Sequence, residues 1–290
     1  VPAGNWGVIS GGNSAMVPGK GYIIRAPNSY AIDASNPASY QKFTGNFIGK
    51  PNNGTISIPV SGSDTVNVWN LLGNPYPSAL DADLFLDANI GVSDPGINNT
   101  LGGTLYFWTH NTPFASTTTF NYNASDYASW NRVGGTNTAA AVSTPNGNAN
   151  LGAPKGKIAA GQAFFIKGTA NGSAVFNNDM RVKGENMQFF RPTAVNNSNY
   201  ALTTGKHRIW LNLQGATQGF SQTLVGYVTN ATNDYDIRYD GESFGGNAVT
   251  FYSVNNDKNL VIQGRALPFV DTDEVPMGYK TTLTGNSTIS

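Results

Sequence analysis

Apolar residues in this chain come in short bursts that alternate with polar ones, and most bursts are closed by glycine, asparagine, proline or serine. Residues 55–60 and 66–71 alternate with period two, the spacing that turns one face of a strand toward a core. Residues 104–109 form an aromatic β run. Residues 21–25, 163–167, 208–213, 223–228, 248–253 and 259–263 read as further strands. Asn53-Gly54, Asn146-Gly147, Asn171-Gly172 and Asp240-Gly241 supply Asx-Gly turns, which accept positive φ. Many short strands punctuated in this way predict an all-β fold of tandem β-sandwich, jelly-roll-like domains.

Helical periodicity is sparse, so only one or two short helices are expected. Residues 78–86 fit two turns, with Ser78 as N-cap, Asp81 at N3, and Leu80, Leu84 and Phe85 on one face. Residues 125–131 fit one more turn. Residues 18–25 and 160–167 share the pattern Gly-x-small-aromatic-apolar-Ile-basic, which marks either equivalent strands of two related units or a chance likeness of two strands. The clearest break in composition is at 191–206, where Pro192, four consecutive Asn or Ser residues and Thr203-Thr204-Gly205 read as a surface connector. The expected organisation is a β-rich domain over 1–190, with room for two related β units, a linker at 191–206, and a truncated second β-sandwich over 207–290. Residues 136–156, rich in Ala, Asn, Gly and Thr, read as a long exposed loop.

Composition narrows the function classes. The 36 Asn and 34 Gly against three Glu suit strands and turns over helices. Charged residues are 12% of the chain, about half the usual roughly 25%, and 17 basic balance 17 acidic side chains. A neutral surface excludes the basic face that a nucleic-acid partner requires, and it excludes electrostatic capture by anionic membranes. No apolar run reaches the ~20 residues that span a bilayer, and no signal-peptide core opens the chain. Val1 leads to the expectation of a processed protein or an internal piece. Without cysteine there is no disulfide framework and no thiolate metal site.

No catalytic constellation emerges. His110 and His207 lie about a hundred residues apart in different expected domains, and both are read as structural. There is no Gly-x-Ser-x-Gly elbow, no His-Glu-x-x-His and no glycine-rich phosphate loop. Asp81 and Asp83 point to different faces of a helix and do not converge as an acid/base pair. No catalytic residue and no cofactor are therefore assigned. Asp271, Asp273 and Glu274 cluster in a loop and are the candidates for a Ca²⁺ site built from oxygen ligands, against the simpler reading of a solvated turn. Tyr76, Trp108 and Trp130 are the candidates for stacking on a glycan, although large aromatics more often supply buried area. Trp210 lies on the strand face opposite Ile209, Leu211 and Leu213, and meets either solvent or a second packed layer.

The run Asn70-Leu71-Leu72-Gly73-Asn74-Pro75-Tyr76-Pro77-Ser78-Ala79-Leu80-Asp81-Ala82-Asp83 resembles a block in large secreted surface proteins of gliding, flavobacteria-like Bacteroidota. Residues 103–111, 158–165 and 176–181 are similar to blocks that follow it there, and 208–213 and 262–269 look like the same family's C-proximal β domain. The likeness covers most of residues 16–280. It implies cargo of the type IX secretion system: a protein that engages the type IX translocon, crosses the outer membrane and is released or held at the cell surface. Low charge, abundant Asn, Gly and Thr and the lack of a catalytic constellation add the expectation of a non-enzymatic, adhesin-like or structural role, with a surface glycan or adhesive target as partner. A glycan-binding accessory module of a secreted carbohydrate-active enzyme is the alternative. The resemblance also makes Thr65, in Asp64-Thr65-Val66, a candidate acceptor for O-glycosylation.

Overall fold

The computed structural model describes residues 15–24, 48–90, 100–108, 126–138, 152–186, 205–215, 219–245 and 247–290. Strands dominate. In chain order the first are β1 (Ile56–Val60), β2 (Val68–Gly73), β3 (Ala79–Asp81), β4 (Leu101–Trp108), β5 (Tyr127–Trp130) and β6 (Gly135–Thr136). Then follow β7 (Lys157–Ile158), β8 (Ala163–Gly168), β9 (Gly172–Phe176), β10 (Arg181–Val182), β11 (Lys206–Gly215) and β12 (Phe220–Val228). The last are β13 (Gly241–Glu242), β14 (Val249–Asn255), β15 (Lys258–Ala266), β16 (Met277–Thr281) and β17 (Ser287–Ile289). Helix α1 (Ala82–Ile90) and one 3-10 turn, Asn178–Met180, complete the described elements. The fold is all-β. No helix among the described residues is long and apolar enough to cross a membrane.

The chain forms two compact units that do not follow chain order. One takes residues 1–23, 49–102 and 157–186; the other takes 24–48, 103–156 and 187–290. The strands of 207–290 share their unit with 103–156. Of the expected linker at 191–206, only the last two residues lie among those described.

In the first unit, β2 and β8 pair antiparallel, as do β1 and β9. Strand β3 runs between β10 and β7. Phe85 of α1 packs against Phe164 and Phe176 with ring centroids 5.3 and 5.0 Å apart, and all three are fully buried. The helix starts later than the periodicity predicts. Residues 79–81 are held as strand, so Asp81 takes the N-cap place assigned to Ser78, and its Oδ1 accepts from the N–H groups of Asp83 and Leu84. The shifted frame turns Phe85, Leu86 and Ile90 inward and leaves Leu84 exposed. The two similar segments at 18–25 and 160–167 flank the same strand: Lys20 bridges to Leu72 on one side, and Phe164 pairs with Leu72 on the other. Each enters through a glycine at positive φ, Gly19 at 84° and Gly161 at 70°. Only the second becomes a strand.

In the second unit, β11 pairs with β12 over nine residue pairs, and β12 pairs in parallel with β15. The sheet order is β16-β14-β15-β12-β11-β17, with β13 added to β15. An apolar cluster lies on each face. On one, Val133, Leu224, Val228, Ala231, Tyr239 and Ile262 form a core against which Trp210 packs. On the other, Leu213, Val249 and Phe251 gather with Leu211 and Leu283. Trp210 thus meets a second layer, and its Nε1 donates to Gly135 O at 2.9 Å. Residues 127–130, expected within a helical turn, are strand β5, paired with both β4 and β6. The β5–β6 hairpin turns on Asn131, whose side chain accepts from Val133 N–H at 2.9 Å and donates to Tyr239 O at 2.8 Å.

Candidate functional site

The second unit carries a small pocket where β4, the β5–β6 hairpin, the start of β12 and the 243–247 segment meet. Its volume is about 40 Å³, room for a few waters or one small polar group and too little to enclose a sugar ring. Aromatic rings form one wall. Tyr127 and Phe244 stack with centroids 4.7 Å apart and planes 17° apart, and Tyr106 meets Phe244 edge-on at 4.6 Å. Alternation places them: Tyr106 and Trp108 share one face of β4, and Tyr127, opposite Trp108, shares it too. Tyr106 is anchored by its hydroxyl, which donates to Glu242 O at 2.7 Å. Burial, reinforced by the Glu242 carboxylate, pushes the Tyr106 phenol up. Burial and the Asp126 carboxylate push Tyr127 up to about 12, so both stay neutral hydroxyls at ordinary pH.

Amides form the other wall. Gln222 is fixed at both ends: Nε2 donates to Asn212 Oδ1 at 2.8 Å, and Oε1 accepts from Asn137 N–H at 2.8 Å. That clamp sets Asn137 at the pocket. Asn137 and Asn247 line this pocket, and the Oδ1 atom of each is buried and accepts no hydrogen bond. Buried polar atoms are otherwise almost always paired. Ser129, Thr136, Ser221 and Ser243 add hydroxyls, and among the described residues no Asp, Glu, Lys, Arg or His lines the pocket.

The structure scatters the residues singled out in the sequence. Tyr76 belongs to the first unit and is 2% exposed, its hydroxyl on Gly54 O and the Arg181 guanidinium 5.3 Å from its ring centroid. It is core and offers no platform. Trp130 is 9% exposed, packed where a Cβ on Gly156 would strike its ring. Trp108 is 39% exposed and lies on the opposite ladder face from Trp130. These three do not form one surface. Thr65 is exposed in the segment between β1 and β2, its hydroxyl 3.1 Å from Ser63 Oγ.

The proposed calcium ligands do not converge either. Asp273 is held by Arg265 and by the Tyr227 hydroxyl at 2.8 Å, and Arg265 keeps its carboxyl below the usual range. Asp271 and Glu274 are exposed. Among the described residues, no three His, Asp or Glu side chains are placed to hold a metal ion. Asp81 pairs with Lys157. His207 sits in β11 opposite Tyr227, and His110 lies outside the described residues. The amides at 137, 222 and 247 escaped sequence reasoning because they carry no motif; the only trace of them is the general excess of Asn.

A family model described as "Domain of unknown function (DUF8693)" matches residues 2–290. Neither the curated proteins nor the solved structures contain a match.

Proposed function

We propose that this chain, which belongs to the DUF8693 family, is a non-enzymatic β module of a protein exported by the type IX secretion system and displayed at the bacterial surface. The observation that carries this reading is what the resembling blocks do in the fold. They are architecture. Asn74, within the most distinctive block, is 6% exposed, and its side chain reaches the carbonyls of Ser78, Ile158 and Ala159 while accepting from Tyr76 N–H. That block shapes the chain between β2 and β3 and supplies no reactive group. A likeness in framework residues supports common descent with exported surface modules, and the surface positions are then free to set the target. The exposed Thr65 is accessible to glycosylation, as export to the surface of such bacteria would require of an acceptor.

The experiment is deletion of the outer-membrane translocon in a gliding Bacteroidota host that encodes the protein, with cell fractions probed by antibody. The reading predicts that the protein leaves the surface and medium and accumulates in the periplasm. An unchanged distribution overturns it.

A further inference from the structure

We propose that β16 is an open sheet edge on which a second copy of this chain docks, the two β16 strands pairing antiparallel about Tyr279 to form a two-fold dimer. Strand β16 stands at one end of the sheet in the second unit and, among the described residues, pairs only with β14. The phase of that ladder decides which backbone groups are left over. Val254 N–H donates to Pro276 O, and Thr282 N–H donates to Ala248 O, so the hydrogen-bonded pairs fall at even-numbered residues of β16. Gly278 and Lys280 therefore turn their N–H and C=O groups toward β14. Those of Met277, Tyr279 and Thr281 point off the sheet, where no strand among the described residues meets them. The edge is open to solvent: Tyr279 is 62% exposed and Met277 37%. Such a row of unpaired N–H and C=O groups is a template for another strand.

This edge fits itself. Antiparallel pairing centred on Tyr279 sets that residue against its own counterpart and sets Met277 against Thr281 at either end. Each of these pairs exchanges both of its N–H···O bonds. The two exposed tyrosine rings then meet as a cross-strand aromatic pair. Lys280, the kind of residue that ordinarily guards an edge, falls opposite Gly278 of the partner subunit, so no like charges face each other directly. The chain balances 17 basic against 17 acidic side chains, so net charge does not hold two copies apart. The other end of the sheet is a poorer template. The Asn212–Ser290 bonds leave only Ser287 and Ile289 of β17 pointing outward. A two-fold β16 contact also closes on itself, whereas β16 on β17 would run on as an open fibre. A strand of 5 residues buries little surface, so the dimer is weak and concentration dependent.

The test is sedimentation equilibrium of the 290-residue chain up to about 1 mM. A reversible monomer–dimer equilibrium is expected. Tyr279→Lys and Tyr279→Glu each put like charges face to face in this register and leave the bonds to β14 intact. Each should weaken the dimer about tenfold or more, and an equimolar mixture of the two should restore it. If a charged variant does not fold, Tyr279→Cys decides, because the chain has no other thiol. Mild oxidation should trap it as a disulfide dimer, while Ser287→Cys on the opposite edge should stay monomeric. A parent chain that remains monomeric at the highest concentration, or assemblies that keep growing past the dimer, overturn the proposal. So do a dimer that the charged variants leave unweakened, a mixture that does not recover, and two cysteine variants that cross-link equally.

Discussion

Asn74 shows how much one side chain can hold in this chain. Its amide serves three carbonyls and one N–H in a region sealed from water, so truncation strands several partners at once. Asn74→Ala should cost about 3 kcal/mol in urea unfolding; a loss under about 1 kcal/mol would show that the Pro75–Pro77 turn forms without it. Gln263 presents the opposite case. It is fully buried, with neither side-chain polar atom paired. Gln263→Met keeps the length and removes the unpaired amide, and should raise stability by about 1 kcal/mol. A Gln263→Met protein that unfolds more readily would mean that the amide has a partner in solution.

Two buried carboxyls set opposite pH responses. Asp240 is 2% exposed; burial pushes it up to about 7 even though the N–H groups of Asp236 and Gly264 donate to it. The native state therefore holds a proton that the unfolded state has lost, and stability falls as pH rises from about 4 to about 7. Asp273 is held low by Arg265, so its contribution is complete above the usual carboxylate range and is lost as pH falls through its depressed value. Thermal midpoints measured from pH 8 to pH 5 should rise, and Asp240→Asn should flatten that slope. A parent profile already flat over this range would contradict the assignment.

At the scale of elements, periodicity and turn residues carried most of the information. The alternating runs at 55–60 and 66–71 became β1 and β2, and the apolar runs at 208–213 and 223–228 became β11 and β12, the last buried along most of its length. The misread elements were those decided by pairing. Residues 79–81 and 127–130 have helix-compatible spacing, yet backbone partners supplied from distant strands hold them extended. The β14–β15 hairpin turns on Asn256 and Asp257, both at positive φ, which matches the preferred two-residue geometry without the glycine that would announce it. Gly103 in β4 marks another non-local demand: a Cβ there would lie 2.6 Å from Arg238 O and 2.7 Å from Arg238 Cα, while its N–H donates to Ile237 O. Gly103→Ala must displace backbone and should cost more than about 2 kcal/mol. A change within about 0.5 kcal/mol, read by the same urea titration, would mean that the 236–240 turn yields freely.

For the whole molecule, the contrast between chain order and spatial order matters most. The second unit draws Val133 into the core built by β12 and β15, and Lys206 and Trp210 donate to the carbonyls of Arg132 and Gly135. A separate 207–290 fragment should therefore lack a cooperative unfolding transition, read by urea titration; a sharp two-state transition would show that it folds without 103–156. Nothing local announces such an exchange of segments, since it rests on contacts more than seventy residues apart. The pocket was illegible for the same reason: its walls come from β4, β5, the 243–247 segment and β12, and no two of its amides are neighbours in sequence.

The central claim is that this is a module displayed outside the cell, and protease shaving of intact cells tests it most directly. The account predicts that peptides from exposed segments such as 61–67 are released from unbroken wild-type cells of the native host, carrying glycan on Thr65. Peptides that appear only after lysis, with intact cells leaving the protein uncut, would contradict it.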